Sequence, residues 1–255
     1  MKIGKNTPAI VTGGASGLGE ACARAFRERG APVAILDLHK ERGEEVAAEI
    51  GAMFIETDVA SDASVEAALE QAAAAHGVAR IVVSCAGIAP AMKTAGSKGP
   101  HDMGLFEKVV GVNLVGTMRV MAFAAQAMRE AEPLDEDGCR GVVINTASVA
   151  AFEGQVGQGA YAASKGGVAA LTLPAARDLM RDGIRVNAIA PGIFATPMLM
   201  AMPDDVQQSL AEQVPFPQRL GTPEEYAALA CYIAEAGYLN GAVIRLDGAI
   251  RMGPR

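Results

Sequence analysis

The chain predicts an α/β fold, a single doubly wound domain in which helices flank a seven-stranded parallel sheet. Three observations carry that expectation. Short runs rich in Val, Ile and Ala alternate with longer amphipathic ones, the pattern of strands and helices wound into a parallel sheet. The 255 residues are 51% hydrophobic and include 29 glycines, enough to build and turn one sizeable core without a second domain. The glycine-rich segment Thr12-Gly13-Gly14-Ala15-Ser16-Gly17-Leu18-Gly19 stands where the first apolar run gives way to the first amphipathic one.

Strands are expected at 9–12, 33–37, 53–57, 80–84, 141–146, 184–190 and 242–246, each a short apolar run bounded by turn residues. Helices are expected at 17–29, 40–50, 62–76, 103–130, 157–181 and 223–236. Gly30, Gly51 and Gly77 close three of them, and Ser61 and Thr222-Pro223 open two. Pro174 lies inside the 157–181 helix, where it removes a backbone donor, so a kink or break is expected near Ala170. With no internal repeat, low-complexity tract or linker, one domain spans residues 1–255.

A formal charge of −7 argues against nucleic acid as a partner. Cys22, Cys85, Cys139 and Cys231 lack Cys-x-x-Cys spacing and there are three histidines, so neither a disulfide framework nor a metal site is expected. The N-terminus runs directly into the apolar residues at Ala9, so no signal or transit peptide is expected. No apolar stretch reaches the ~18 residues of a spanning helix. A cytoplasmic protein with no membrane partner is expected.

In the glycine segment, Gly13, Gly17 and Gly19 permit a sharp turn and a close approach of backbone to a pyrophosphate. The helix that follows offers free N–H groups and the positive end of its dipole. The spacing is Gly-x-x-x-Gly-x-Gly, with Ser16 and Leu18 between the glycines. Asp37 ends the second strand, where a carboxylate accepts from adenosine ribose hydroxyls and repels a 2′-phosphate. NAD is therefore favoured over NADP, although His39 and Lys40 lie close by. Asp58 and Val59 follow the third strand and could cap the adenine; Asp58 also reads as an ordinary loop carboxylate. After the fourth strand come Cys85, Ala86 and Gly87, whose small side chains keep bulk away from a cofactor.

Tyr161 and Lys165 stand four positions apart, so on a helix they share a face, where an ammonium can favour the phenolate. A free tyrosine has a pKa of about 10, and bringing it to neutrality demands roughly 4 kcal/mol of preferential stabilisation. Ser148 sits thirteen positions upstream of Tyr161, at the end of the fifth strand.

Taken in order, the glycine loop, Asp37, Cys85-Ala86-Gly87, Asn113 in Val-Asn-Leu-Val-Gly-Thr, Ser148, Tyr161 with Lys165, and Pro191-Gly192 resemble the short-chain dehydrogenase/reductase family over nearly the whole chain. Within it the sequence is similar to the type 2 3-hydroxyacyl-CoA dehydrogenases, a subgroup also called type 10 17β-hydroxysteroid dehydrogenases. That similarity rests on Asn145 to Gln158, Thr172 to Leu179, Gln213 to Gly221 and Leu239 to Met252. The resemblance implies a Rossmann-type fold, NAD as cofactor, a small-molecule substrate and a homotetramer. It implies that Tyr161 exchanges a proton with the substrate hydroxyl, that Lys165 lowers the phenol's pKa and binds the nicotinamide ribose, and that Ser148 holds the substrate oxygen.

Asn113 would hold a water linking Lys165 to solvent; without the family, a helix-bending residue bonded to backbone is an equal reading. Gln155 matches a substrate-facing position. Pro191, Gly192, Phe194 and Thr196 match the loop that closes the nicotinamide side. The substrate implied is a 3-hydroxyacyl-CoA, including the 2-methyl form; a steroid or other secondary alcohol and a non-catalytic NAD-binding scaffold are the alternatives.

Residues 196–214, with Met198, Leu199, Met200, Met202 and Leu210, read as an adaptable lid over an apolar substrate, or equally as core or subunit contact. In the 89–101 segment, Lys93, Lys98 and His101 read equally as phosphate contacts for CoA or as a solvated loop.

Overall fold

The structure, a computed structural model, describes residues 1–97 and 99–254, Met198 by its backbone. Seven strands form one all-parallel sheet: β1 (Ala9–Thr12), β2 (Val33–Asp37), β3 (Met53–Glu56), β4 (Ile81–Ser84), β5 (Gly141–Thr146), β6 (Ile184–Pro191) and β7 (Val243–Leu246). Their order is β3-β2-β1-β4-β5-β6-β7.

The central strands are apolar on both sides because both faces of the sheet are covered. Val11, Ile35, Val83 and Ile144 point into one core, with Phe26 of α1 (Gly17–Glu28) and Ile233 of α9 (Pro223–Glu235). Their neighbours Ile10, Leu36, Val82 and Val143 point the other way, toward Val65 of α3 (Asp62–His76) and Met121 of α5 (Gly116–Arg129). The period of two along each strand thus sorts residues between two cores.

α2 spans Lys40–Ile50, α4 Met103–Val110, α6 Gly159–Asp178, α7 Pro197–Met200 and α8 Asp204–Glu212. Three differences from the sequence expectation matter. The helix expected at 103–130 contains a widened π turn, Gly111–Val115, between α4 and α5. α6 runs unbroken past Pro174. Ala170 and Pro174 both face solvent, so water can satisfy the carbonyl that proline leaves without a donor, while buried Val168, Thr172, Ala175 and Ala176 bind both halves to the sheet. A short hairpin, Ala95–Gly96 with Gly99–Pro100, lies in a segment expected to be a loop.

The run Met103–Arg129 also corrects the apolar-stretch expectation: it is 27 residues long and holds an 18-residue window of mean hydropathy 1.3, long and apolar enough to cross a membrane. Its Val109, Val120, Met121, Ala124 and Met128 are buried against the domain.

The chain passes from β1 outward to β2 and β3, then crosses back to β4 on the other side of β1. The ends of β1 and β4 therefore diverge into a crevice at the switch of direction, the place where open α/β sheets bind ligands.

Candidate active site

A cleft of about 590 Å³ occupies that crevice. It is lined by Gly13, Ser16, Gly17, Leu18 and Gly19 from the glycine loop, Asp37 from β2, and Asp58 and Val59 after β3. Cys85, Ala86 and Gly87 after β4, Tyr161 and Lys165 from α6, Pro191 at the end of β6 and Thr196 beyond it also line the cleft.

The glycine loop is built for close approach. Gly13 has φ +66°, and a Cβ there would stand 2.7 Å from the Ala86 nitrogen; one on Gly19 would stand 2.2 Å from the Gly13 oxygen. Helix α1 therefore starts directly on the loop. The Ser16 side chain makes no capping bond, which leaves the first N–H donors of α1 available to an anion.

Asp37 joins this loop to the end of β2. Its carboxylate accepts from Ala15 N at 3.1 Å and from His39 N at 3.0 Å. Asp58 is exposed and accepts from Ala60 N at 2.8 Å, so part of its capacity serves its own turn.

Tyr161 and Lys165 share one face of α6, with the Lys165 Nζ 5.8 Å from the centroid of the Tyr161 ring. Lys165 is 4% exposed and donates to the Thr146 carbonyl at 2.7 Å. Burial lowers its amine to about 8, while the Cys85 thiol pulls it back up. The phenol does not follow the sequence expectation. Burial raises Tyr161 above its ordinary value, and only the Ser148 hydroxyl pulls it down. The physical reason is placement, since the ammonium bonds a strand-end carbonyl and stands off the ring.

Ser148, at the end of β5, is 7% exposed; its Oγ accepts from Ala150 N at 3.1 Å and opens a short 3-10 turn. Asn113 sits in the π turn, fully buried, with Oδ1 accepting from Ile88 N at 2.8 Å. Its Nδ2 donates to Ile88 O at 2.9 Å and to Ser164 Oγ at 3.1 Å. The side chain thus pins the loop after β4 to α6. Gly87 lies between Asn113 and Lys165, where a Cβ would come within 3.1 Å of Asn113 Oδ1 and 3.7 Å of Lys165 Nζ.

Five expected residues lie off the cleft wall: Asn113 and Ser148, and also Gln155, Gly192 and Phe194. Gln155 donates through Nε2 to the Gly253 carbonyl at 3.3 Å, turned toward the C-terminal segment that also receives Val156 N at Pro254 O. Gly192 has its open side against Asp247, 2.9 Å from where a Cβ would be. Phe194 is 6% exposed and meets Tyr226 edge-on at 6.4 Å. The rest of their loop does reach the site: Pro197 Cδ lies 3.4 Å from where a Cβ on Gly17 would be, so the start of the 196–214 segment closes on the glycine loop. Lys98 lies outside the described residues, as does the Met198 side chain. His101 donates through Nδ1 to Lys93 O, 3.3 Å away, and packs edge-on against Phe106.

The sequence reading missed Thr146, which holds the lysine, and Ile88, Lys108, Val112 and Pro197, which also line the cleft. A threonine two positions before Ser148 on the same strand end was the available signal.

The arrangement combines a phosphate cradle with a half-buried phenol and a buried hydroxyl and ammonium. A family model described as Enoyl-(Acyl carrier protein) reductase matches residues 13–250. The chain is 53% identical to 3-hydroxyacyl-CoA dehydrogenase type-2 of Bos taurus, over 98% of this chain and 97% of that protein. It is 36% identical to a (3R)-3-hydroxyacyl-CoA dehydrogenase of Homo sapiens, over 96% of this chain and 95% of that one. The crystal structure of 3-hydroxyacyl-CoA dehydrogenase type-2 from Mycobacterium avium superposes with a TM-score of 0.94 at 45% identity, all of both chains covered. The chain belongs to the short-chain dehydrogenase/reductase family.

Proposed function

We propose that this enzyme is an NAD-dependent dehydrogenase that interconverts 3-hydroxyacyl-CoA, including its 2-methyl form, and 3-ketoacyl-CoA. The observation that carries the reading is the convergence of Tyr161, Lys165 and the glycine loop on one cleft. Relatives named for that reaction, one of them 53% identical, support the substrate.

The residues fit a nicotinamide dinucleotide. Gly13, Gly17, Gly19 and the α1 N-terminus would hold its pyrophosphate, and Asp37 its adenosine ribose. Asp37 supports NAD over NADP, since its carboxylate would face a 2′-phosphate of the same sign. When bound, this cofactor supplies the hydride acceptor and a positive ring.

The chain's own residues handle the proton and the oxygen. Tyr161 takes the proton from the substrate hydroxyl and returns it in the reverse direction. Ser148 donates a hydrogen bond to the same oxygen as it becomes a carbonyl. Lys165, charged at neutral pH with its amine at about 8, would act together with the positive ring of the bound cofactor to favour the phenolate over the phenol that burial selects. Asn113 fixes the loop and helix between which that ammonium stands. A homo-oligomer belongs to the same proposal, supported by the exposed apolar side chains of Met103, Val115 and Met118 along α4 and α5.

The test follows NADH absorbance over a hydroxyacyl-CoA series with NAD and with NADP, against a panel of steroid alcohols. Turnover confined to steroids would overturn the substrate assignment. Tyr161→Phe should reduce kcat by at least about a thousandfold while NADH still binds; an active variant would overturn the assigned proton carrier.

A further inference from the structure

Among the described residues Lys165 is buried without a carboxylate to hold it. Its ammonium has one hydrogen-bond partner among them, the Thr146 carbonyl at 2.7 Å. How that carbonyl is held therefore decides where the charge sits.

Thr146 is itself held by a closed ring. Its Oγ1 donates to Cys85 Sγ at 3.4 Å, and Cys85 Sγ donates to the Tyr226 hydroxyl at 3.8 Å. The Tyr226 hydroxyl lies 2.7 Å from Thr146 Oγ1. With the first two protons so placed, the third must run from Tyr226 to Thr146. Each group then donates once and accepts once, and no proton is left without an acceptor. Tyr226 is fully buried and Thr146 is 7% exposed, so a broken ring would strand a hydroxyl away from water.

Tyr226 is well placed to anchor the ring. It lies in the first turn of α9, fixed by the capping box of Thr222 and Glu225. Its ring meets Phe194 edge-on, so one residue touches both the strand end under the lysine and the loop after β6.

We infer that the ring of Tyr226, Thr146 and Cys85 is a positioning device for Lys165, with Tyr226 as the anchor that fixes the carbonyl to which the ammonium is tied. The inference rests on the dehydrogenase reading above. The titratable groups facing the ammonium are Tyr161 on its own helix and Cys85 from the loop after β4. Behind Cys85 stand Cys22 from α1 and Tyr226 from α9. No carboxylate acts on Lys165 among the described residues. The ring therefore acts on the lysine through the carbonyl that tethers it.

The experiment is the pH profile of kcat for the full-length enzyme and for Tyr226→Phe, Thr146→Val, Thr146→Ser and the Tyr226→Phe/Thr146→Val double variant, with NAD and the best substrate of the panel. Tyr226→Phe and Thr146→Val should each lower kcat on the order of tenfold and move the controlling pKa by about half a unit, with KM for NAD within about twofold of the wild type. Thr146→Ser, which keeps the hydroxyl, should restore the wild-type profile. The double variant should be no worse than either single one, as expected of one ring broken twice. A role confined to knitting α9 to the sheet would lower thermal stability and leave the profile in place, and that result would overturn the inference. Should Tyr226→Phe fail to fold, Thr146→Val against Thr146→Ser reads the same ring. A wild-type enzyme inactive on every alcohol of the panel overturns the dehydrogenase reading and takes the ring's role with it; an active enzyme with insensitive variants overturns the ring alone.

Discussion

Replacing Lys165 by Met removes a charge and keeps an unbranched side chain that can adapt to the same space. Lys165 is 4% exposed, and burial holds its amine at about 8 against 10.5 for a free lysine. A charge disfavoured to that degree costs the native state about 3 kcal/mol at neutral pH. The folded value lies below the unfolded one, so the unfolded chain binds the proton more tightly. The cost is complete below about pH 8 and fades as the pH rises toward the unfolded value. Relative to Lys165→Met, the wild type should therefore gain about 2 kcal/mol of stability between about pH 7 and about pH 9.5.

At neutral pH the variant escapes the charge penalty but leaves the Thr146 carbonyl without its donor, a loss of about 1–3 kcal/mol. It should lie between parity with the wild type and about 2 kcal/mol more stable, while losing turnover. Urea unfolding of both proteins at the two pH values reads the difference. Unfolding free energies that change in parallel with pH would show that the lysine is not held in its neutral-favouring environment, and the reasoning would fail.

Gly19→Ala sets a Cβ 2.2 Å from the Gly13 oxygen, so α1 must retreat from the loop; NADH fluorescence titration should show binding weakened at least about tenfold, and an unchanged Kd would mean the loop has slack. Arg185→Leu removes a buried guanidinium that donates to the carbonyls of Ile233, Ala234 and Leu239, where α9 ends and its dipole is negative. Thermal unfolding should show a loss of about 3 kcal/mol, and a loss under about 1 would refute the account. Asp37→Ser removes the carboxylate that a 2′-phosphate would meet, so the ratio of kcat/KM for NAD over NADP should fall on the order of a hundredfold. An unmoved ratio would assign the selection to another group.

The strands were legible to within a residue or two because both faces of the sheet are buried, and an apolar run such as Ile81–Ser84 has no other use. The glycine loop was legible because its spacing and its place between β1 and α1 report a backbone conformation, which sequence encodes directly. Packing outcomes were less so. Pro174 obeys a local rule that the buried face of α6 overrides, and the π turn at Asn113 depends on contacts with Ile88 and Ser164 that lie far off in sequence. Tyr161 and Lys165 were found by spacing, but their proton affinities follow from burial, which spacing does not carry. Arg185 could have been noticed as a charge within the apolar run Ile184–Pro191; its partners, three carbonyls around the end of α9, could not.

The π turn at Gly111–Val115 also decides where this helix tolerates a change of length. A widened turn holds one residue more than a regular one. A single deletion inside it would restore an ordinary turn and leave Val109 on one side and Val120 and Met121 on the other in their present register, at the expense of Asn113's bonds. A deletion between residues 116 and 120 would instead swing every later side chain by about 100° and carry Met121 and Met128 out of the core.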